Sequence, residues 1–237
     1  MPTIDIFEAP EDAAERAARL VAEAVRTKPT IVLGLATGET MRPVYAALVA
    51  DHRRNATSWR GVTVFNLDDY VGLPADHPAS FSRFMRETLF DHIDIASERC
   101  WMPDGMAPDL AREARAYEAR IAAAGGIDLQ LLGIGSNGHI AFNEPGSDFA
   151  GRTRVVALAQ ETRAAAALAF PEDDDVPRYG LTLGIGTILQ ARRIVLVATG
   201  AGKARAVAEA FGAPADVACP ASALQTHADV MVLLDAA

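Results

Sequence analysis

The sequence predicts an α/β fold organised around a mainly parallel sheet. Three features point to it: short β-branched runs that are apolar throughout, amphipathic helical segments between them, and glycine-rich turns where the runs end. Strands without an apolar/polar alternation are covered on both faces, and parallel neighbours need a helical crossover between them. A chain of 237 residues can bury a substantial core, and no composition shift marks a linker, so one domain over residues 1–237 is expected.

The elements follow in order. Residues 10–29, PEDAAERAARLVAEAVRTKP, put Ala13, Ala17, Leu20, Val21 and Ala24 at helical spacing, with acids early and Arg26 and Lys28 late. A strand at 30–38, TIVLGLATG, leads to a helix at 43–52 with Pro43 near its first turn. A strand at 62–70, VTVFNLDDY, precedes helices at 80–93 and 109–125, the second stopped by Gly125-Gly126. The segments 127–135 and 153–159 read as strands, and 161–170 as a helix. Strand 193–200, helix 202–212 and strand 229–235 complete the alternation. PEDDDVP, 171–177, is bounded by prolines and is expected to be a surface loop.

Composition narrows the function classes. A net charge of −9 with scattered basic residues argues against contact along a nucleic-acid backbone. A few local cations and helix N-termini can still hold one small anion. No run approaches the ~18 apolar residues of a membrane span, and the first twenty residues lack a basic region followed by an apolar one. Cys100 and Cys219 make no disulfide framework and no C-x-x-C pair. A reduced, cytoplasmic protein is expected.

Gly133, Gly135 and Gly138 have the G-x-G-x-x-G spacing directly after an apolar run. A dinucleotide site would require a helix starting at that turn. Pro145 and Gly146 arrive within eight residues of Gly138 and leave no room for one. What remains is a tight loop displaying Asn137, His139, Asn143 and Glu144. These side chains either bond their own backbone or form an imidazole–carboxylate pair suited to proton transfer. A metal on His139, Glu144 and Asp68 is a third reading, with no H-x-x-x-H, H-E-x-x-H or Cys cluster behind it. Asp68 and Asp69 lie at a strand end; neighbours on an extended chain face opposite ways, so one of them can serve as a base. GLATGET (34–40) and ATGAGKARA (198–206) offer backbone N–H groups at strand-to-helix turns, with Lys203 as a point charge, and suggest a phosphate-bearing small molecule.

Together GLATGET, FNLDDYVGL, HPASFSRFMRETLFDHIDI, LLGIGSNGHIAFNEPGS, GRTR, VPRYGLTLGIGTIL and GKARA resemble the glucosamine-6-phosphate deaminase/isomerase family over about residues 30 to 230. The resemblance implies a modified Rossmann-like three-layer α/β/α sandwich that converts an amino-sugar phosphate into a ketose phosphate and ammonia, with no metal or organic cofactor. It implies Asp68 as the base for the C2 proton, and His139, assisted by Glu144, as the group that opens the sugar ring. Thr37, Gly38 and Thr40 would line the phosphate, Arg163 and Lys203 would be its cations, and 158–180 would be a mobile lid. Two positions depart from the pattern: Asn137 stands where many members carry Asp, and Glu39 where a small residue is usual. The implied partner is a small sugar phosphate, not nucleic acid or membrane, and self-association is left open. Two other readings stand beside it: a sugar-lactone phosphate hydrolase of 6-phosphogluconolactonase type, and a non-catalytic sugar-phosphate sensor.

Overall fold

A computed structural model describes residues 2–171 and 175–237. Residues 172–174, part of the expected surface loop and lid, lie outside the described residues.

The order is β1 (Thr3–Phe7), α1 (Pro10–Thr27), β2 (Val32–Leu35), α2 (Met41–Asn55), β3 (Thr63–Asn66), β4 (Asp68–Tyr70), α3 (Phe81–Thr88), β5 (Cys100–Trp101) and α4 (Leu110–Ala123). It continues with β6 (Leu129–Leu132), β7 (Arg154–Ala157), α5 (Gln160–Ala166), β8 (Tyr179–Thr182), α6 (Ile185–Ile188), β9 (Arg193–Ala198), α7 (Ala204–Gly212) and β10 (Val230–Asp235). Seven strands form one sheet in the order β1-β10-β9-β6-β2-β3-β5, every pair parallel. Such a sheet flanked by helices is the predicted architecture. β6 and β2 are neighbours, and the chain builds outward from them in opposite directions. The crevice beyond their carboxyl ends is therefore the place for a ligand.

The expected apolar stripe of α1 is buried at Ala13, Ala17, Leu20 and Val21, whereas Ala24 is only partly covered. Pro10 opens the helix, Glu11 and Asp12 lie in its first turn and Arg26 in its last, as the dipole favours. β2, β6 and β9 are almost wholly buried. Phe65 of β3 meets Tyr117 of α4 edge-on at 5.7 Å, and the Tyr117 hydroxyl donates to the carbonyls of Asn66 and Trp101.

The structure corrects the expected strand at 62–70. It breaks at Leu67, whose N–H still donates to Leu35 while its carbonyl accepts from Leu183. Beyond the break, β4 leaves the parallel sheet and joins an antiparallel one in the order β4-β8-β7. β7 likewise belongs to this second sheet rather than the parallel one. β1, β5 and β8 were not expected as strands. The helix expected at 80–93 stops at Thr88, followed by a 3-10 turn at Phe90–His92, and that at 161–170 stops at Ala166.

Candidate active site

The carboxyl ends of β2, β3 and β6, with the turn before α7, surround a cavity of about 410 Å3. Thr37, Gly38 and Thr40 come from the turn after β2, Asp68 from β4, His139 from the glycine loop after β6, and Lys203 from the turn after β9. Residues from four distant segments are thus brought to one place by the ends of the parallel strands β2, β6 and β9 and by β4, which continues the chain just beyond β3.

The turn after β2 is held by the Tyr45 hydroxyl, which donates to the Ala36 carbonyl, and by Gly38 at φ +113°, where a side chain would be strained. Glu39 borders the cavity, but its carboxylate turns back onto Arg42 Nε at 2.9 Å and its side chain is 84% exposed. The charge that would oppose a phosphate is therefore directed to solvent and already paired. Lys203 is half-buried, and burial holds its ammonium below the usual lysine range.

Asp68 and Asp69 are 5% and 4% exposed. Only Asp68 lines the cavity, and its carboxylate accepts no hydrogen bond from the described residues. Burial first, and then the neighbouring Asp69 charge, push it up to about 8. A buried carboxylate that no described donor satisfies binds a proton avidly, which is what a base for a weakly acidic C–H needs.

The glycine loop is shaped around one imidazole. A Cβ on Gly135 would lie 2.1 Å from the His139 ring, and Gly138 sits at φ +83° with Cys219 Sγ 2.6 Å from where its Cβ would be. His139 Nδ1 lies 2.7 Å from Asn137 Oδ1, and Asn137 Nδ2 donates to Glu144 Oε2 at 3.0 Å. Because the Asn137 amide nitrogen is committed to a carboxylate, its oxygen accepts from Nδ1–H. That fixes the tautomer and leaves the Nε2 lone pair free among the described residues. Glu144 Oε2 stands 3.6 Å from Nδ1, so the carboxylate acts through the amide rather than by direct pairing. Burial, with Lys203 second among the groups that lower it, holds His139 below its usual value against the opposing pull of Glu144 and Glu161.

Glu144 also reaches the α5 segment: its Oε1 accepts from Thr162 Oγ1 at 2.6 Å and Ala159 N–H at 3.2 Å. Ser136 Oγ donates to Glu161 at 2.8 Å, a second tie between the loop and α5.

One expectation is corrected here. Asn143 is not displayed by the loop; it is fully buried, donates to Ile140 and Leu183 carbonyls and accepts from Arg154. The expected phosphate cation Arg163 is not among the cavity-lining residues in this structure, and its guanidinium donates to the Val176 carbonyl at 3.3 Å. Sequence reasoning also missed an aromatic wall, in which Tyr70 lies 4.8 Å from Phe81 and 5.4 Å from Phe142. Those rings come from three separate segments, so no periodicity reveals them. Among the described residues no group of three His, Cys, Asp or Glu side chains could hold a metal, and no helix is long and apolar enough to cross a membrane.

The chain matches the family described as glucosamine-6-phosphate isomerases/6-phosphogluconolactonase over residues 6–233. It is 50% identical to a glucosamine-6-phosphate deaminase of Shouchella clausii, covering 95% of this chain and 91% of that one. It is 50% identical to another of Rhodopirellula baltica over 99% and 93%. A solved monomeric glucosamine-6-phosphate deaminase superposes with a TM-score of 0.97 at 44% identity, covering 99% of this chain and 97% of that one. A 6-phosphogluconolactonase of Trypanosoma brucei superposes less well, with a TM-score of 0.77 at 26% identity over 99% and 96%. With the sheet, the cavity and these matches in agreement, the chain belongs to the family of glucosamine-6-phosphate isomerases and 6-phosphogluconolactonases.

Proposed function

We propose that the cavity isomerises and deaminates glucosamine 6-phosphate, giving fructose 6-phosphate and ammonia from substrate and water. The observation that carries this reading is that a buried carboxylate, Asp68, with no hydrogen-bond donor among the described residues, shares one cavity with a tautomer-fixed imidazole, His139, and with Lys203. Identity near 50% to deaminases of two bacteria supports it.

In this reading the C6 phosphate sits on the Thr37–Thr40 turn and Lys203, where backbone N–H groups and one cation complement its charge. His139 Nε2 takes the proton of the C1 hydroxyl and returns it to the ring oxygen, which opens the pyranose to the aldehyde. Asp68 then removes the C2 proton; the C2–H electron pair forms the C1–C2 double bond, and the C1 carbonyl oxygen becomes an enolate that takes a proton from water to give the enol. Return of a proton at C1 shifts the double bond to C2–N. Water adds to that imine at C2, and ammonia leaves. No step calls for a metal or an organic cofactor. The described part of the expected lid borders the cavity through Glu161, Thr162, Ala165 and Ala166, and Glu144 and Ser136 tie it to the catalytic loop. Arg163 would reach the phosphate only if that segment turned toward the cavity. The free thiols of Cys100 and Cys219 support a cytoplasmic setting.

The test is ammonia release, coupled to a reporter enzyme, from glucosamine 6-phosphate, galactosamine 6-phosphate and unphosphorylated glucosamine, with lactone hydrolysis followed in parallel. Release from glucosamine 6-phosphate, and none from unphosphorylated glucosamine, is expected, and the galactosamine arm reads the choice at C4. Hydrolysis of 6-phosphogluconolactone without ammonia release would replace the reading with a lactonase.

A further inference from the structure

Asp69 is as buried as Asp68, yet it is turned away from the cavity. Its Oδ1 accepts from the Tyr70 N–H at 2.8 Å and the Phe81 N–H at 3.2 Å. Its Oδ2 accepts from the Ser82 N–H at 3.3 Å and Ser82 Oγ at 3.1 Å. Ser80 Oγ takes the next donor, Arg83 N–H, at 3.1 Å. The first three N–H groups of α3 are therefore held by two side chains, one of which belongs to a strand twelve residues upstream. Successive side chains of an extended strand point to opposite faces, so anchoring Asp69 on α3 aims Asp68 the other way.

We propose that Asp69 is a positioning residue for proton abstraction: its carboxylate clamps β4 onto the N-terminus of α3, which turns Asp68 into the cavity and sets a fixed negative charge beside it. The inference rests on Asp68 being the base of the deamination reading. Burial holds the Asp69 carboxyl above its usual range, and the four donors around it, with no acceptor, oppose that push and favour its ionised form. The groups facing Asp68 are Asp69 and Tyr70 on its own strand and Tyr117 from α4, while Thr182, its partner on β8, is uncharged. Across the cavity stand His139, Lys203, Glu161 and Glu39. Of these charges, that of Asp69 strengthens the proton affinity of Asp68 most.

Three proteins test this in the ammonia assay, run across the pH range on both sides of neutrality: the wild type, Asp69→Asn and Ser82→Ala. The kcat/KM of the wild type should rise with pH through about 8, the value of Asp68. Asp69→Asn should lower kcat by about 10–100-fold through misplacement of the base, leave KM within about threefold, and shift that acid limb downward because the neighbouring charge is gone. Ser82→Ala keeps the charge and loses one donor, so kcat should fall about two- to fivefold with the limb in place. A folded Asp69→Asn whose limb does not move overturns the inference, whatever its kcat. If Asp69→Asn does not fold, Ser82→Ala decides, and a kcat equal to the wild type overturns it. An active wild type with unaltered variants refutes this inference alone, whereas a wild type that releases no ammonia refutes the deaminase reading beneath it.

Discussion

Replacing Asp68 with Asn should remove activity and, at the same time, stabilise the protein. The side chain is 5% exposed and its carboxylate receives no hydrogen bond from the described residues, so the folded state disfavours its charge. The gap between 3.8 and about 8 corresponds, at ~1.4 kcal/mol per decade of proton affinity, to a ceiling of about 5–6 kcal/mol against the ionised form. The carboxylate lines a cavity that water can enter, so the gain expected on neutralisation is about 1–3 kcal/mol, the usual cost of an unsatisfied buried group. The sign follows from linkage. With its value raised on folding, the native state binds the proton more tightly than the unfolded chain. The aspartate therefore costs nothing below 3.8, and its cost grows as pH rises toward about 8. Asp68→Asn should thus melt close to the wild type in acid, and about 4–8 °C above it on the alkaline side of 8 for a gain of ~2 kcal/mol. Turnover should fall by about 10²–10⁴-fold, the contribution of a positioned base. Calorimetry at the two pH values and the ammonia assay read both effects. Equal melting temperatures in alkali, or turnover within tenfold of the wild type, would refute the reasoning.

Other substitutions test the rest of the site. Lys203→Ala should raise KM by about 10–100-fold, since a charge-assisted contact is worth ~1.5–3 kcal/mol, with kcat less affected; an unchanged KM would move the phosphate elsewhere. Glu39→Gly should leave KM within about twofold, because its carboxylate already pairs with Arg42 in solvent; a large fall in KM would show that it faces the ligand. Asn137→Asp should raise the His139 ring titration followed by NMR, as a carboxylate stabilises the imidazolium and an amide does not; superimposable titrations would make Asn137 a turn residue only. Gly135→Ala puts a Cβ 2.1 Å from the His139 ring, so turnover should drop by about 10²-fold through misplacement of the imidazole while the circular dichroism spectrum is kept; normal turnover would show that the ring position is not critical.

Local signals carried much of this structure. The apolar runs that became β2, β6, β9 and β10, and the 3.6-residue stripe of α1, report burial directly. Asp68, His139, Thr37 and Lys203 were legible because polar residues at the ends of buried strands, beside glycine turns, have few reasons to be there. The illegible features depend on partners distant in sequence. Nothing in VTVFNLDDY announces that the strand breaks at Leu67, since residues on both sides stay extended and the break is set by Leu35, Thr182 and Leu183. TIDIF alternates weakly, and its strand character comes from pairing with β10 at the far end of the chain. The division of labour between Asp68 and Asp69 needed α3 in place. The relay from His139 through Asn137 to Glu144 needed the loop to curl back at Gly138, where φ is +83°.

The central claim is that this cavity breaks the C2–H bond of an amino-sugar phosphate and expels its nitrogen. The most direct test is the wild-type reaction with glucosamine 6-phosphate in deuterated water, with sugar followed by NMR and ammonia measured in the same tube. One ammonia per fructose 6-phosphate, with deuterium at C1 of the product, is the expected result, because the proton taken from C2 exchanges with water in the cavity that Asp68 lines before its return. Consumption of the sugar without ammonia, or no reaction by a folded protein, would contradict it.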